Sequence, residues 1–232
     1  MEKQFWIKSW DLGGVYTSFH RKDVHPYVLK HLTPDVLAGK TVFVPLCGKT
    51  IDMLYFSRYA DRVVGVELAE KAVVQFFEEN GISYRRHGKR YEAGNLVLFC
   101  QDLFELTTKD LGPLDIVYDR ASLVALPLDM RMRYLAKMEE LTEPGALYFL
   151  NTLEYAPIMA TPPFSIGPDE VQSYFPNYSM MHAESPNLPE HRMVQKFNLD
   201  FLIEHGFWLK KLYNISQRSE SLAGLTSRYA FS

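Results

Sequence analysis

Apolar residues along this chain form short continuous runs that alternate with longer stretches of helical spacing. The runs are rich in β-branched and aromatic residues, which is typical of strands buried on both faces of a sheet. They predict strands over residues 41–46, 62–67, 96–100, 114–118, 146–153, 190–197 and 207–215. Helical spacing predicts helices over residues 24–38, 49–59, 70–80, 128–141, 169–175 and 198–205. Strands alternating with helices indicate an α/β fold, a doubly wound, mostly parallel, seven-stranded sheet with helices on both faces.

The segment before the first predicted strand is rich in aromatic residues. Trp6 and Trp10 are four positions apart, so they share one face of a helix. That face either packs on the rest of the fold or forms a lid over a bound ligand, and the spacing alone favours packing. In the helix predicted over 24–38, we expect Leu29 to point inward with its apolar neighbours.

No linker or internal repeat divides the chain. We therefore expect one domain over residues 1–232. It would comprise an N-terminal lid and helix in 1–38, an α/β core in 40–216 and a loosely ordered tail in 217–232. The polar, basic stretch 82–94 is typical of a surface connection or a small hairpin.

Four of the predicted strands end on glycine or on a charged residue. These strand ends are Gly48, Glu67, Asp102 and the pair Asp119 and Arg120. Because ligands of such sheets bind beyond the carboxyl ends of the strands, we expect these residues to converge on one crevice.

Three kinds of nucleotide-like ligand can be compared for this crevice. A phosphate-binding loop requires GxxxxGK[ST], and Phe43 stands where its first glycine belongs. A dinucleotide requires several glycines, whereas Gly48 is alone and the residues before it would crowd the phosphates. S-adenosylmethionine carries an adenosine but no phosphate, so one glycine suffices. Glu67 would bind its ribose hydroxyls and Asp102 its adenine amino group, unless each acid merely caps the following helix or turn.

Composition and charge argue against other classes of partner. The chain is 47% hydrophobic with a net charge of −3, so it has a core but no positive surface for nucleic acid or an anionic membrane. No apolar run could span a bilayer, and the first residues lack the apolar centre of a signal peptide. Cys47 and Cys100 suit a reducing compartment, so we expect a cytoplasmic protein without a disulfide. His20, His25 and His31 do not have metal-ligand spacing, so we expect no metal.

Five motifs resemble those of one enzyme family, the thiopurine S-methyltransferases, in particular its bacterial members. The motifs are FWIKSW, GVYTSFH, VFVPLCGKTIDM, VVGVELAEKAV and YDRASLVALP. The resemblance implies the class I, Rossmann-like fold of S-adenosylmethionine-dependent methyltransferases. It also implies methyl transfer to aromatic or heterocyclic thiols such as thiopurines, or to selenium or tellurium compounds, with S-adenosylhomocysteine as the product. We expect a monomer whose partners are a small-molecule thiol or metalloid acceptor.

Carried over by motif, the resemblance implies which residues hold the cofactor. Trp6 and Trp10 would lie over it, and Leu46 and Gly48 would contact its methionine part. Glu67 would bind the ribose hydroxyls, as its position at the end of a strand also suggests. The adenine positions are taken by Asp102 and Leu103.

The same resemblance places the reacting end of the site. Arg120 would lie near the methionine carboxylate and the acceptor, and Asp119 and Arg120 are the candidate catalytic residues. A structural ion pair between these two is the alternative. Phe19 would sit between cofactor and acceptor, and Arg192 would be a second acceptor-side arginine.

The expected mechanism is direct in-line displacement, in which orientation and a guanidinium that favours the thiolate replace a strong general base. Two other functions stay open. One is methylation of oxygen, nitrogen or a halide on the same fold. The other is a non-catalytic sensor that binds the cofactor.

Overall fold

A nine-stranded mixed sheet forms the centre of the molecule. The structure, a computed structural model, describes residues 3–17 and 21–213. The strands are β1 Thr41–Val44, β2 Arg62–Glu67, β3 Arg85–His87, β4 Arg90–Ala93, β5 Leu96–Cys100, β6 Ile116–Arg120, β7 Leu147–Ala156, β8 Tyr178–Glu184 and β9 Phe201–Lys211. Their order across the sheet is β3-β4-β5-β2-β1-β6-β7-β9-β8. The five central strands pair in parallel, and the ladders on both sides of them are antiparallel.

Helices cover both faces of this sheet, as predicted. They are α1 Lys3–Leu12, α2 Pro26–His31, α3 Pro34–Leu37, α4 Asp52–Tyr59, α5 Glu70–Glu79, α6 Thr108–Leu111, α7 Leu128–Leu141, α8 Pro168–Tyr174 and α9 Arg192–Phe197. Helices α2 to α5 pack into the hydrophobic core on one face, and α6 to α8 into the core on the other. The chain therefore has the doubly wound α/β architecture.

The prediction of seven strands was wrong, because the sheet has nine. The stretch 82–94 is indeed a hairpin, but its strands β3 and β4 extend the sheet through β5. Strand β8 was not predicted, since most of its residues are partly or fully exposed at the sheet edge and show no buried run. The parallel arrangement is correct for the central five strands only.

Two predicted elements near the carboxyl end have the opposite secondary structure. Residues 190–197, predicted as a strand, contain α9, whose N-terminus is capped by the His191 ring accepting from the Met193 amide. Residues 198–205, predicted as a helix, include the first five residues of β9, and β9 pairs with β7 over residues 201–210. Short apolar stretches fit either periodicity, and pairing with a long neighbouring strand decides between them.

The single helix predicted over 24–38 is divided into α2 and α3. Pro34 lacks an amide hydrogen and disfavours helical backbone at the residue before it, so the first helix ends and a second begins. Leu29 is 54% exposed, so the prediction that it points inward was wrong, whereas Val28 and Leu32 are buried.

Three other predictions concern single residues or the whole chain. Cys47 and Cys100 are free thiols. In the part of the chain that the structure describes, no helix is long and apolar enough to cross a membrane. The predicted tail 217–232 lies outside the described residues.

Candidate active site

A cavity of about 940 Å³ opens at the carboxyl ends of the central parallel strands. The segments that follow β1, β2, β5 and β6 form one side of it. Helices α1, α7 and α9, residues 124–127 and the proline-rich loop 160–164 form most of the remainder. Of the predicted strand-end residues, Gly48, Glu67, Asp102 and Arg120 line this cavity and Asp119 does not, and the strand ends form one side of a larger enclosure.

The turn after β1 has backbone conformations that bring the main chain close to the cavity. Leu46 has φ 45° and Gly48 has φ 52°, both in the left-handed region. Glycine adopts this conformation freely, whereas for a leucine it costs on the order of 1 kcal/mol. The Gly48 amide donates to Oε2 of Glu67 at 2.9 Å, which fixes the turn against the neighbouring strand. Leu46 and Gly48 both line the cavity.

Glu67 ends β2 and is held by backbone amides. Its side chain is 7% exposed and lines the cavity. Oε1 accepts from the Ala69 amide at 2.8 Å, immediately before α5. Burial raises the pKa of this carboxyl, and the amides of Ala69 and Gly48 oppose that shift. Each oxygen keeps a lone pair, so capping of α5 and ligand binding are compatible.

Helix α1 closes the cavity above these strand ends. Trp6 and Trp10 both line it, and Trp10 also packs on Ala69 and Ala72. The packing and lid interpretations of these tryptophans are therefore compatible. The Lys71 ammonium donates to the Asp11 carbonyl at 2.9 Å, which ties the carboxyl end of the helix to α5.

Asp102 lies where α1 meets the end of β5. Its Oδ1 accepts from the Phe104 amide at 3.0 Å, so the carboxylate caps a short turn. Its Oδ2 lies 2.5 Å from the Lys3 ammonium of α1. Leu103 is buried beside it, and both residues line the cavity.

Asp119 and Arg120 end β6 and project differently, because successive residues of a strand point to opposite faces. Asp119 is fully buried, and its Oδ2 accepts from the hydroxyls of Tyr134 and Tyr148, each at 2.6 Å. Burial raises the pKa of this carboxyl, and the two tyrosines oppose the shift. Asp119 is not among the described residues that line the cavity, whereas Arg120 is.

Arg120 is followed by a second strained position, Ala121, which has φ 64°. The alternative of an ion pair between Asp119 and Arg120 does not occur within the described ranges. The charge of Arg120 acts instead on Glu204 of β9. Burial raises the pKa of Glu204, but a hydrogen bond from His25 and the charges of His25 and Arg120 outweigh it, so the net pKa is lowered.

The far wall of the cavity comes from α9. Arg192, the predicted acceptor-side arginine, lines it together with Lys196 and Phe197. Sequence reasoning missed the last two because it took this segment for a strand. The spacing of Arg192 and Lys196 by four positions, one helical turn, was the available signal. Phe19 lies outside the described residues.

Groups able to ligate a metal do not cluster anywhere within residues 3–17 and 21–213.

A family model described as "Thiopurine S-methyltransferase (TPMT)" matches residues 1–210. The chain belongs to the thiopurine S-methyltransferase family. It is a methyltransferase, and the resemblance carried by the five motifs is confirmed.

Relatives within this family extend over most of the chain. The thiopurine S-methyltransferase of Bordetella parapertussis is 42% identical over 185 residues, which are 77% of this chain and 84% of that protein. The thiopurine S-methyltransferase of Shewanella woodyi is 34% identical over 224 residues, 91% of this chain and 99% of that protein.

A solved structure gives the same fold at low identity. It is the 1,6-didemethyltoxoflavin-N1-methyltransferase of Burkholderia thailandensis with bound 1,6-didemethyltoxoflavin and S-adenosylhomocysteine. The TM-score is 0.57 at 15% identity, over 90% of this chain and 87% of that chain. This family member therefore has the Rossmann-like fold of S-adenosylmethionine-dependent methyltransferases.

Proposed function

We propose that the protein transfers a methyl group from S-adenosylmethionine to the sulfur of an aromatic or heterocyclic thiol. Family membership supports methyl transfer, and the names of the relatives point to thiopurine sulfur. The observation that carries the proposal is one enclosure holding Glu67, the Gly48 turn, two tryptophans and the guanidinium of Arg120.

The residues of the strand-end side suit S-adenosylmethionine. Glu67 retains acceptor capacity for a ribose diol after binding two amides. A single glycine turn with Leu46 beside it leaves no cradle for phosphates, and an adenosyl sulfonium needs none. A cavity of about 940 Å³ is at the upper end of typical ligand sites, large enough for a cofactor with an acceptor beside it. When bound, S-adenosylmethionine supplies the methyl on a sulfonium whose bond to that carbon breaks as the new carbon–sulfur bond forms, leaving S-adenosylhomocysteine.

Arg120 favours the ionised form of the acceptor. A guanidinium beside a thiol stabilises the thiolate and lowers the thiol pKa, and the proton leaves to solvent. Heteroaryl thiols ionise near neutral pH, so this modest assistance suffices. Asp119 would not contact the acceptor. It would act as a positioning residue, because its carboxylate accepts a hydrogen bond from Tyr134, which lines the cavity.

The side chains of the cavity favour sulfur over oxygen as the acceptor. Among the described lining residues there is no histidine, and the only carboxylates are Glu67 and Asp102, both held by protein donors. Burial also raises the pKa of Tyr118, Tyr134 and Cys47, so these side chains stay protonated. An alcohol acceptor needs a general base, whereas a thiolate does not.

A labelled-methyl assay with matched acceptors tests this proposal. The panel comprises 6-mercaptopurine, thiophenol, benzeneselenol, a tellurium oxyanion and phenol. We expect label on the thiols and none on phenol. Transfer to phenol in preference to the thiols would overturn the choice of sulfur. Calorimetric binding of S-adenosylhomocysteine without transfer to any acceptor would favour a sensor.

A further inference from the structure

The side chains that line the cavity carry a charge opposite to that of the whole chain. The chain has a net charge of −3. The cavity is nevertheless lined by five cationic side chains and two acidic ones. The cations are Lys3, Arg120, Arg133, Arg192 and Lys196, and the acids are Glu67 and Asp102. A positive cavity in an acidic protein concentrates anionic ligands.

The two acids and two of the cations lie on the strand-end side of the cavity, where the cofactor is proposed to bind. Each of them contacts another group of the protein there. Lys3 pairs with Asp102. The guanidinium of Arg133 lies over the Phe104 ring, 4.5 Å from its centre, beside the same turn. Glu67 is bound by backbone amides. This side of the cavity is therefore close to balanced in charge.

The opposite wall has cations without acids. Arg192 and Lys196 of α9 line it, Arg120 lies at the end of β6 between the two sides, and the described lining residues include no acid on α9 or the loop 160–164. The positive charge of Arg120 is partly balanced by Glu204 of β9, which does not line the cavity. Lys196 is exposed and makes no ion pair within the described ranges. This ammonium is therefore available to an anionic group of a ligand in the cavity.

One aromatic ring, that of Phe197, lies beside the Lys196 ammonium. The ammonium nitrogen lies 4.9 Å from the centre of this ring. Phe197 is 37% exposed and faces the cavity, as does Phe164 of the proline-rich loop. Aromatic faces beside a cation fit an arene that carries a negative substituent.

We propose that the methyl acceptor carries a fixed anionic group, a carboxylate or a sulfonate, in addition to the reacting sulfur, and that Lys196 binds that group. This inference rests on the proposed thiol methylation and names its substrate class. Arg120 lies near the sulfur of the acceptor, and Lys196 on α9 binds its carboxylate or sulfonate. Lys196 is thus a specificity-determining residue.

The test compares 4-mercaptobenzoate with its methyl ester, which has a similar shape but no carboxylate. We expect wild type to prefer the acid, mainly through KM, and Lys196→Met to reduce the acid-to-ester ratio of kcat/KM about three- to tenfold. Lys196→Glu should reduce the ratio further. Lys109→Met, an exposed lysine on α6 outside the cavity, is the matched control and should leave the ratio unchanged.

A binding measurement separates this inference from the function on which it rests. The S-methylated acid and ester are titrated calorimetrically into wild type and Lys196→Met with S-adenosylhomocysteine present. Preference for the acid that depends on Lys196, without turnover of either thiol, would keep the anion-binding role of Lys196 and overturn thiol methylation. Turnover with equal affinity for both products, or equal losses for both in Lys196→Met, would overturn the inference and keep the function.

Discussion

The two sides of the cavity are built from different parts of the fold. The cofactor side consists of the carboxyl ends of β1, β2 and β5, which backbone hydrogen bonds hold in one parallel register. The acceptor side consists of α9 and the loop 160–164, which follow β7 and lie outside the parallel core. In the proposed function, the parallel core would position the cofactor and the later segments would contact the acceptor. The following predictions test that division.

The largest effect is expected on the cofactor side, at Glu67. Glu67→Ala should weaken S-adenosylhomocysteine binding about 100-fold, because charged hydrogen bonds contribute roughly 1.5–3 kcal/mol each. Calorimetry measures the change. Glu67→Gln, which keeps the size and one acceptor oxygen, should lose less, and thermal unfolding checks that both variants fold. Equal affinity in wild type and Glu67→Ala would remove the ribose assignment.

The next effect is expected at Arg120, between the two sides. Arg120→Ala should lower kcat for a thiol of high pKa about 10- to 100-fold, because the thiolate loses its cationic neighbour. Cofactor affinity should change only a few-fold. Arg120→Lys should recover part of the rate, and raising the pH should recover more. A variant that lost cofactor affinity and kept kcat would assign Arg120 to the cofactor side instead.

A stability prediction concerns the strand that carries Glu67. A Cβ on Gly65 would lie 2.8 Å from Sγ of Cys47 and 3.1 Å from Sδ of Met53. Gly65→Ala should therefore reduce the free energy of unfolding by about 1–3 kcal/mol, measured by denaturant titration. Cys47→Ala in the same chain removes the closer sulfur and should restore part of the loss. Full stability in the single variant would show that β2 is less tightly packed than the distances indicate.

The smallest effect is expected in β9, behind the acceptor side. His205 is buried, with Nε2 2.8 Å from Oε2 of Glu154 and Nδ1 3.0 Å from Nε2 of His182. Burial lowers its pKa below the ordinary 6.5, and Glu154 opposes the shift. The unfolded chain then binds a proton that the folded protein does not. Stability should therefore fall as pH falls below 6.5.

The contribution of His205 is measured by comparing how the free energy of unfolding changes with pH in wild type and in a His205 variant. Between pH 7.5 and 5.5, His205→Gln should lose less free energy of unfolding than wild type, by about 1 kcal/mol or less. His182→Gln serves as the comparison, since that ring is exposed. Identical pH profiles for wild type and His205→Gln would show that folding does not change the pKa of this ring.

The difference between the two sides also explains what the sequence could predict. The strands that end near Glu67 and Arg120 are apolar runs buried on both faces, and their polar ends mark the site directly. The segment 190–205 is short, partly exposed and equally compatible with two periodicities, so α9 and β9 were exchanged. Pairing of β9 with β7 and β8 distinguishes them, and the pairing with β7 is not local. The catalytic role of Asp119 stays a prediction, although strand alternation already implied that only one of Asp119 and Arg120 faces the ligand.

The placement of α1 has a practical consequence. The chain has three tryptophans, and two of them, Trp6 and Trp10, line the cavity. The third, Trp208, packs beside Phe149 in the opposite core. A ligand in the cavity would therefore contact two of the three indoles, so tryptophan fluorescence should change when the site is occupied. Replacing Trp208 with phenylalanine would leave a signal from the ligand site alone, free of any attached dye.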